Sequence, residues 1–190
     1  MKRLLFAFVL VACHAHAATT RYLVRPVYSN VGFSIVKWGV LKEQGVFRDF
    51  SGTLDFDQAA PERSRIDVVV QSASLDTKDD TRDNMVRSDD FLDVQRYPTL
   101  EFHSTAVQNG VVTGNLTIHG VTRRIQFRPA FLGVRDLPKV GKLAGFETTF
   151  AINRRDFGVL GSRWGAVPGI LGDEVQVHIV VGAIQPAPRR

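Results

Sequence analysis

The sequence predicts an all-β protein, a single extended, antiparallel, eight-stranded barrel with a short helix-containing loop after about residue 76. Most of the chain falls into short segments of alternating apolar and polar residues, separated by Gly, Pro, Asn and Asp, which is typical of antiparallel strands. Helical periodicity is scarce. Strands without intervening helices must bury a continuous apolar face, which a closed barrel or a sandwich achieves, and the long central strands favour the barrel.

The first 17 residues have the layout of a secretory signal peptide. Lys2 and Arg3 precede an apolar run that ends at Cys13, and the small-residue site Ala15–Ala17 follows. We therefore expect export to the periplasm with cleavage after Ala17, which removes the one cysteine of the chain and leaves no disulfide. In the alternative, Leu10–Cys13 is a lipobox and the acylated cysteine anchors the protein to a membrane.

Residues 18–185 are predicted to form one domain, followed by a disordered tail at 186–190. The turn Asn109–Gly110 predicts a hairpin between its flanking strands, because both residues tolerate positive φ. The predicted strands are Tyr22–Val27, Val31–Trp38, Val46–Phe56, the alternating residues around Ile66–Val70, Glu101–Gln108, Val111–His119, Arg123–Leu132, Lys142–Asn153 and Asp173–Ile184.

The segment Asp76–Asp93 departs from the strand pattern. Asp79 or Asp80 is placed to cap a short helix that carries Met85. We expect this segment to form a lid or crossover.

Four segments of the chain resemble one known family. Residues 72–104 are similar to the signature of the YceI-like family of polyisoprenoid-binding proteins, and three further segments match in order: VFRDFSGTLDF at 46–56, GNLTIHGVT at 114–122 and INRRDFG at 152–158. On these motifs, spread from about residue 21 to 183, the chain is identified as a member. The resemblance implies an extended lipocalin-like barrel, usually periplasmic, that encloses a channel for an isoprenoid chain such as a quinone or a polyprenyl phosphate.

Phenylalanine dominates the aromatic residues, with 13 Phe against 3 Tyr and 2 Trp, and such rings offer apolar area without a polar group. With the resemblance, these strand residues are expected to line a channel, although each could equally pack into a filled core. Trp164 is expected either to close one end or simply to pack. The predicted lining residues are Phe33, Ile35, Phe47, Phe50, Leu54, Phe56, Met85, Phe91, Phe102, Leu116, Ile118, Phe146, Phe150, Ile152 and Trp164.

Three arginines are candidates for holding a ligand head group: Arg82, Arg87 and Arg154. A guanidinium suits a phosphate because it forms bidentate hydrogen bonds. In the alternative that the sequence favours, Arg82 or Arg154 pairs with Asp83, Asp156 or backbone carbonyls and pins a loop.

The sequence gives little support for catalysis or metal binding. The histidines beyond the signal peptide, His103, His119 and His178, lie on separate strands without metal-ligand spacing. The net charge of +5 is not concentrated in a basic run, so no nucleic acid is expected.

The sequence therefore predicts a binding protein, not an enzyme, that carries an isoprenoid lipid without any other cofactor. One alternative is a hydrolase or other enzyme that acts on a lipid or amide and uses Asp83 or Asp156. The other is a filled barrel with a stress-related partner-binding role. Peripheral membrane contact and a homodimer are left open.

Overall fold

A computed structural model describes residues 19–161, 167 and 169–186. Outside this range lie the predicted signal peptide with its lipobox, residue 18 of the predicted domain, Trp164, and residues 187–190 of the predicted tail. The predicted tail begins at Pro186, which is the last residue of the final strand.

The described chain contains one α-helix, α1 (Asp80–Arg87), and twelve strands. The strands are β1 (Thr20–Val24), β2 (Asn30–Lys37), β3 (Leu41–Phe47), β4 (Phe50–Phe56), β5 (Arg65–Gln71), β6 (Leu75–Asp76), β7 (Thr99–Gln108), β8 (Val111–Ile118), β9 (Val121–Phe127), β10 (Ala130–Leu137), β11 (Gly141–Asn153) and β12 (Leu171–Pro186). Short 3-10 turns occupy Pro26–Tyr28, Pro61–Arg63, Ser72–Ser74 and Arg154–Phe157.

All twelve strands belong to one antiparallel sheet, in the order β6-β3-β2-β12-β1-β4-β5-β7-β8-β9, with β11 on the other edge of β12 and β10 beyond it. The long strand β12 organises this sheet. One of its edges pairs with β11 along thirteen positions, from Gly141↔Pro186 to Asn153↔Glu174. Its other edge pairs first with β2 and then with β1.

The prediction of a closed eight-stranded barrel is wrong: the sheet has twelve strands and is not closed. Among the described residues, no hydrogen-bonded ladder joins β9 to β10 or β11. Side chains bridge this gap instead. The Phe127 ring stacks on Phe150 with centroids 5.0 Å apart, and the Thr148 hydroxyl donates to the Arg128 carbonyl at 3.3 Å.

Two predicted strands are each divided in the structure. Val46–Phe56 is split after Phe47, where the Arg48 amide donates to the Ser74 carbonyl instead of continuing a ladder. Arg123–Leu132 is split before Pro129, which has no amide hydrogen to donate to a strand partner. At the second division Ile125, Phe127, Pro129 and Phe131 all border one cavity, so the alternation continues and did not reveal the break. At the first division the alternation changes phase between Phe47 and Phe50, a signal that the sequence interpretation missed.

The tight turns agree with the residues that form them. Asn109 (φ 51°) and Gly110 (φ 74°) connect β7 to β8, which confirms the predicted hairpin. Trp38–Gly39 and His119–Gly120 form turns with the same pair of positive φ angles, the conformation that matches the twist of paired strands.

Helix α1 begins where the sequence predicts a cap. The Asp79 carboxylate accepts a hydrogen bond from the Arg82 amide at 2.9 Å, which satisfies one of the free amides of the first turn. The buried Asp83 carboxylate accepts bonds from the amide and the hydroxyl of Thr77, at 2.9 and 2.6 Å. These bonds hold α1 against β6 and the core below it.

The apolar core forms two clusters of buried side chains. The first joins Tyr22, Phe50 and Leu54 to residues of β11 and β12. The second joins Leu75 and Phe157 to the segments that follow α1 and β11. Phe47 and Leu100 pack against both clusters, so β3 and β7 connect the two clusters.

Candidate functional site

A cavity of about 910 Å³ lies inside the curled sheet. This volume is near the top of the range of roughly 300–1,000 Å³ that is common for small-molecule pockets. Side chains from nearly every strand and from α1 form its wall, and the wall is overwhelmingly apolar. The interior that the described residues enclose is therefore hollow, which does not fit the filled barrel considered as an alternative.

Every predicted lining residue that the structure describes borders this cavity. Trp164 is outside the described residues. The sequence interpretation missed many other apolar residues of the wall, most of them aliphatic, although period-two alternation marks most of them as well. They include Val31, Ile66, Val68, Val70, Val107, Val112, Ile125, Val175, Val177, Ile179 and Val181, together with the rings of Phe127 and Phe131.

The phenylalanine rings pack in pairs along the wall. Phe33 contacts Phe47 at a centroid distance of 5.7 Å, and Phe56 meets Phe146 edge-on at 5.1 Å. Offset and edge-on pairs of this kind stabilise each other beyond the area that they bury. The rings thus support one another without a filled centre.

Two glycines make room for rings on the wall. A Cβ atom added to Gly45 would lie 2.4 Å from Cζ of Phe33, and one added to Gly114 would lie 2.4 Å from Cζ of Phe102. Either distance is a severe clash. Each ring therefore lies over a strand position that only glycine can occupy without a shift of the ring.

One group of polar wall residues surrounds the beginning of α1 and is named the first polar group: Lys37, Glu43, Gln44, Thr77, Asp79, Thr81 and Arg82. Hydrogen bonds from Arg82 to Glu43 and Thr77 join its members across β3 and the start of α1. The other polar residues of the wall are Gln58, Ser64, Glu101, Glu147, Thr148 and Arg154. Most of the remaining wall is apolar, so the cavity suits an amphiphile with a long apolar chain.

Arg82 lies in the first polar group and is held by its neighbours. Its guanidinium donates to Glu43 Oε2 at 2.7 Å, to the Thr77 hydroxyl at 2.8 Å and to the Thr77 carbonyl at 2.8 Å. These contacts fix α1 to β3. The sequence anticipated that Arg82 pins this loop, but the carboxylate that it contacts is Glu43 and not Asp83.

Arg87 does not border the cavity in the described structure. Its Nε donates to the Ala73 carbonyl at 2.9 Å, and its Nη2 donates to the Leu75 carbonyl. The side chain thereby ties the end of α1 to the strand segment beneath it. Its observed contacts are structural.

Arg154 borders the cavity but is almost fully buried, with 4% of its surface exposed. It donates to the carbonyls of Val159, Leu160 and Gly172 at 2.7–2.9 Å and to Asp173 Oδ1 at 3.0 Å. Burial lowers the pKa of the guanidinium, and the Asp173 carboxylate opposes this effect. The residue connects the chain after β11 to the start of β12.

The residues considered for catalysis do not converge on the cavity. Asp83 and Asp156 are absent from the described wall, and Asp83 is engaged by Thr77. His103 lies 2.8 Å from Asp67 and His178 lies 2.9 Å from the Thr149 hydroxyl, both at exposed positions. No group of three or more His, Cys, Asp or Glu residues in the described chain could hold a metal ion.

The described part of the chain has no helix that is both long and apolar enough to cross a bilayer. Its one helix has eight residues.

The fold is an antiparallel sheet curled around a large apolar cavity, with a short helix beside the first polar group of the wall. This arrangement defines a protein of lipocalin-like architecture. The family model of the YceI-like domain matches residues 22–183. The chain therefore belongs to the YceI-like family, which confirms the family inferred from the four sequence segments.

Curated relatives agree with this assignment. A UPF0312 protein of Pseudomonas syringae pv. tomato is 39% identical over 163 residues, which are 83% of this chain and 82% of the relative. A UPF0312 protein of Azotobacter vinelandii is 39% identical over 137 residues, which are 70% of this chain and 71% of the relative.

Solved structures share the fold. Burkholderia cenocepacia BcnA is 26% identical with a TM-score of 0.76, covering 84% of this chain and 98% of its own. The Campylobacter jejuni YCEI protein is 30% identical with a TM-score of 0.69, covering 78% and 88%. A polyisoprenoid binding domain from Saccharophagus degradans has a TM-score of 0.65 at 18% identity, covering 88% and 99%, so the latter likeness concerns the fold alone.

Proposed function

We propose that the protein binds the apolar chain of an isoprenoid lipid in its cavity and carries it in the periplasm. The observation that carries this proposal is the cavity of about 910 Å³, whose wall is overwhelmingly apolar and has a polar group at the beginning of α1. Membership of the YceI-like family and the polyisoprenoid binding domain among the structures that share the fold support the same ligand class.

Burial of a hydrocarbon chain supplies enough free energy for this role. Each methylene withdrawn from water contributes about 0.8 kcal/mol, so ten carbons contribute roughly 8 kcal/mol before ordering costs. A micromolar dissociation constant corresponds to about 8 kcal/mol, so somewhat longer chains reach it after those costs. Chain length, not a charged anchor, is expected to set the affinity.

The polar head is expected near the first polar group. Of the three arginines predicted to hold a head group, Arg82 lies there, but Glu43 and Thr77 already accept hydrogen bonds from it. A phosphate would have to compete with both. We therefore propose a neutral head, such as that of a quinone, in preference to a phosphate bound by Arg82.

The experiment begins with native mass spectrometry and organic extraction of the purified protein, followed by titration with a prenyl quinone and a prenyl phosphate of equal chain length. Val177→Trp tests the cavity, because Val177 borders it and pairs with Phe33 and Phe150 on the neighbouring strands. Gln176→Trp is the matched control, since successive strand residues face opposite sides of a sheet.

We expect the quinone to bind at micromolar concentration or better, Val177→Trp to weaken it at least tenfold, and Gln176→Trp to leave it unchanged. Melting curves of both variants check that they fold. A folded protein that takes up neither lipid would overturn the proposal, as would unchanged affinity in a folded Val177→Trp. Periplasmic fractionation and the mass of the mature amino terminus test the proposed location and distinguish cleavage after Ala17 from acylation of Cys13.

A further inference from the structure

The turn between β2 and β3 carries a group of exposed apolar side chains. Val36, Trp38, Val40 and Leu41 expose 44%, 51%, 82% and 48% of their surface. We call these four residues the tip patch. The turn is well formed, with left-handed φ angles at Trp38 and Gly39, so exposure of the patch is a property of an ordered hairpin.

Two lysines flank the tip patch, one on each face of the hairpin. Lys37 pairs with Leu41 and Lys42 pairs with Val36 in the β2–β3 ladder, and neighbouring residues of a strand face opposite sides. The Lys37 ammonium lies 4.3 Å from the centre of the Trp38 ring. The hairpin thus ends in apolar side chains with a cation on either side of them.

This arrangement adjoins the cavity. Lys37, at the base of the turn, and Glu43 and Gln44, on the returning strand, belong to the first polar group of the cavity wall. The Trp38 amide also donates to the Ile170 carbonyl at 2.8 Å, and Ile170 lines the cavity. A surface that contacts the tip patch would therefore lie next to this part of the cavity.

The shape and charge of the turn favour a lipid surface over a protein partner. A stable protein interface takes about 800 Å² from each partner. A tryptophan carries only about 150–250 Å², so one half-exposed Trp and three aliphatic residues offer part of that area. Tryptophan is typical of the membrane interface, and flanking lysines attract anionic head groups.

We propose that the tip patch inserts into the head-group layer of an anionic bilayer and brings the first polar group of the cavity to the membrane surface. Trp38 and Val40 enter the apolar side of the interface, and Lys37 and Lys42 contact lipid phosphates. The purpose of this contact, the exchange of lipid between bilayer and cavity, rests on the proposed function. The contact itself does not.

Sedimentation with vesicles that contain no isoprenoid tests the contact. One set consists of phosphatidylcholine and the other of equal amounts of phosphatidylcholine and phosphatidylglycerol. We expect binding to the anionic set, and we expect Val40→Ser to weaken it about tenfold because the buried apolar area falls. Val27→Ser is the matched control: Val27 is 78% exposed and precedes the opposite end of β2, on the order of 25 Å away.

Charge and insertion are tested separately. Replacing Lys37 and Lys42 by Gln should remove the preference for the anionic vesicles, and added salt should do the same. In a Trp164→Phe background Trp38 is the one remaining tryptophan of the sequence, and its fluorescence should shift to the blue on binding.

Failure of the wild-type protein to bind anionic vesicles would overturn the inference, as would equal effects of Val40→Ser and Val27→Ser. Neither result would affect the proposed cavity, because quinone titration of Val40→Ser in solution measures that separately. Normal vesicle binding by a protein that takes up no quinone would instead overturn the carrier function and leave the membrane contact intact.

Discussion

Replacement of Arg154 by Met is expected to destabilise the protein strongly. The arginine is 4% exposed and donates to Val159, Leu160 and Gly172 carbonyls and to the Asp173 carboxylate. Met fills much of the same space but donates no hydrogen bond. A buried acceptor left without a partner costs about 1–3 kcal/mol. The Asp173 carboxylate is 44% exposed and keeps its ion pair with Arg155, so its loss of Arg154 adds little.

Because the hydrogen bond to the Val159 carbonyl is buried and those to the Leu160 and Gly172 carbonyls are part-buried, we expect a loss of about 3–5 kcal/mol in the free energy of unfolding, which is below the full sum for three buried acceptors. Urea denaturation followed by circular dichroism measures it. Arg155→Met is the control: the Arg155 side chain is 40% exposed in its ion pair with Asp173, so it should cost at most about 1 kcal/mol. Equal midpoints for the two variants would refute this reasoning.

Three further outcomes are expected. Asp79→Ala should lower the urea midpoint at neutral pH. The hydrogen bond from the Arg82 amide lowers the pKa of the Asp79 carboxyl. The stabilisation by Asp79 is therefore present above the ordinary carboxyl pKa and is lost as the pH falls through the lowered pKa. The hydrogen bond to Asp67 raises the pKa of His103. The small stabilisation that His103 provides is therefore present below about pH 6.5 and is lost as the pH rises through the raised pKa. An NMR titration of His103 measures the pKa, and melting curves of His103→Gln at low and high pH measure the stabilisation. Phe157→Ala should cost about 3–5 kcal/mol in thermal denaturation, because the ring is 2% exposed within the second core cluster.

The cavity shows how far alternation can predict a site. Phe33 and Phe102 were predicted to face inward because their strands alternate, and both border the cavity. Phe127 and Phe131 border it as well but lie on either side of Pro129, where one predicted strand is divided in two. Alternation tells which face of a strand is apolar, but it does not tell where the strand changes neighbours.

The arginines show the opposite limit. The sequence shows that these residues are charged and lie near apolar segments. It does not distinguish an arginine that binds a ligand from one that holds a loop in place. The difference depends on which acceptors the fold brings within reach. Arg154 meets carbonyls up to eighteen residues away along the chain, and Arg82 meets Glu43, which lies thirty-nine residues away.

The sequence by itself determined the all-β class, the hairpin at Asn109–Gly110, a cap of α1 at Asp79 or Asp80, and the family, because each depends on local backbone preferences or on motifs within short segments. The structure decided the cap for Asp79. Only the tertiary structure decided the number of strands, the open edge between β9 and β11, and the hollow interior. Those features depend on β12 having β11 on one edge and both β1 and β2 on the other, and on how far apart opposite walls stand. Pairing across such distances is set by the whole sheet, and no local pattern records it.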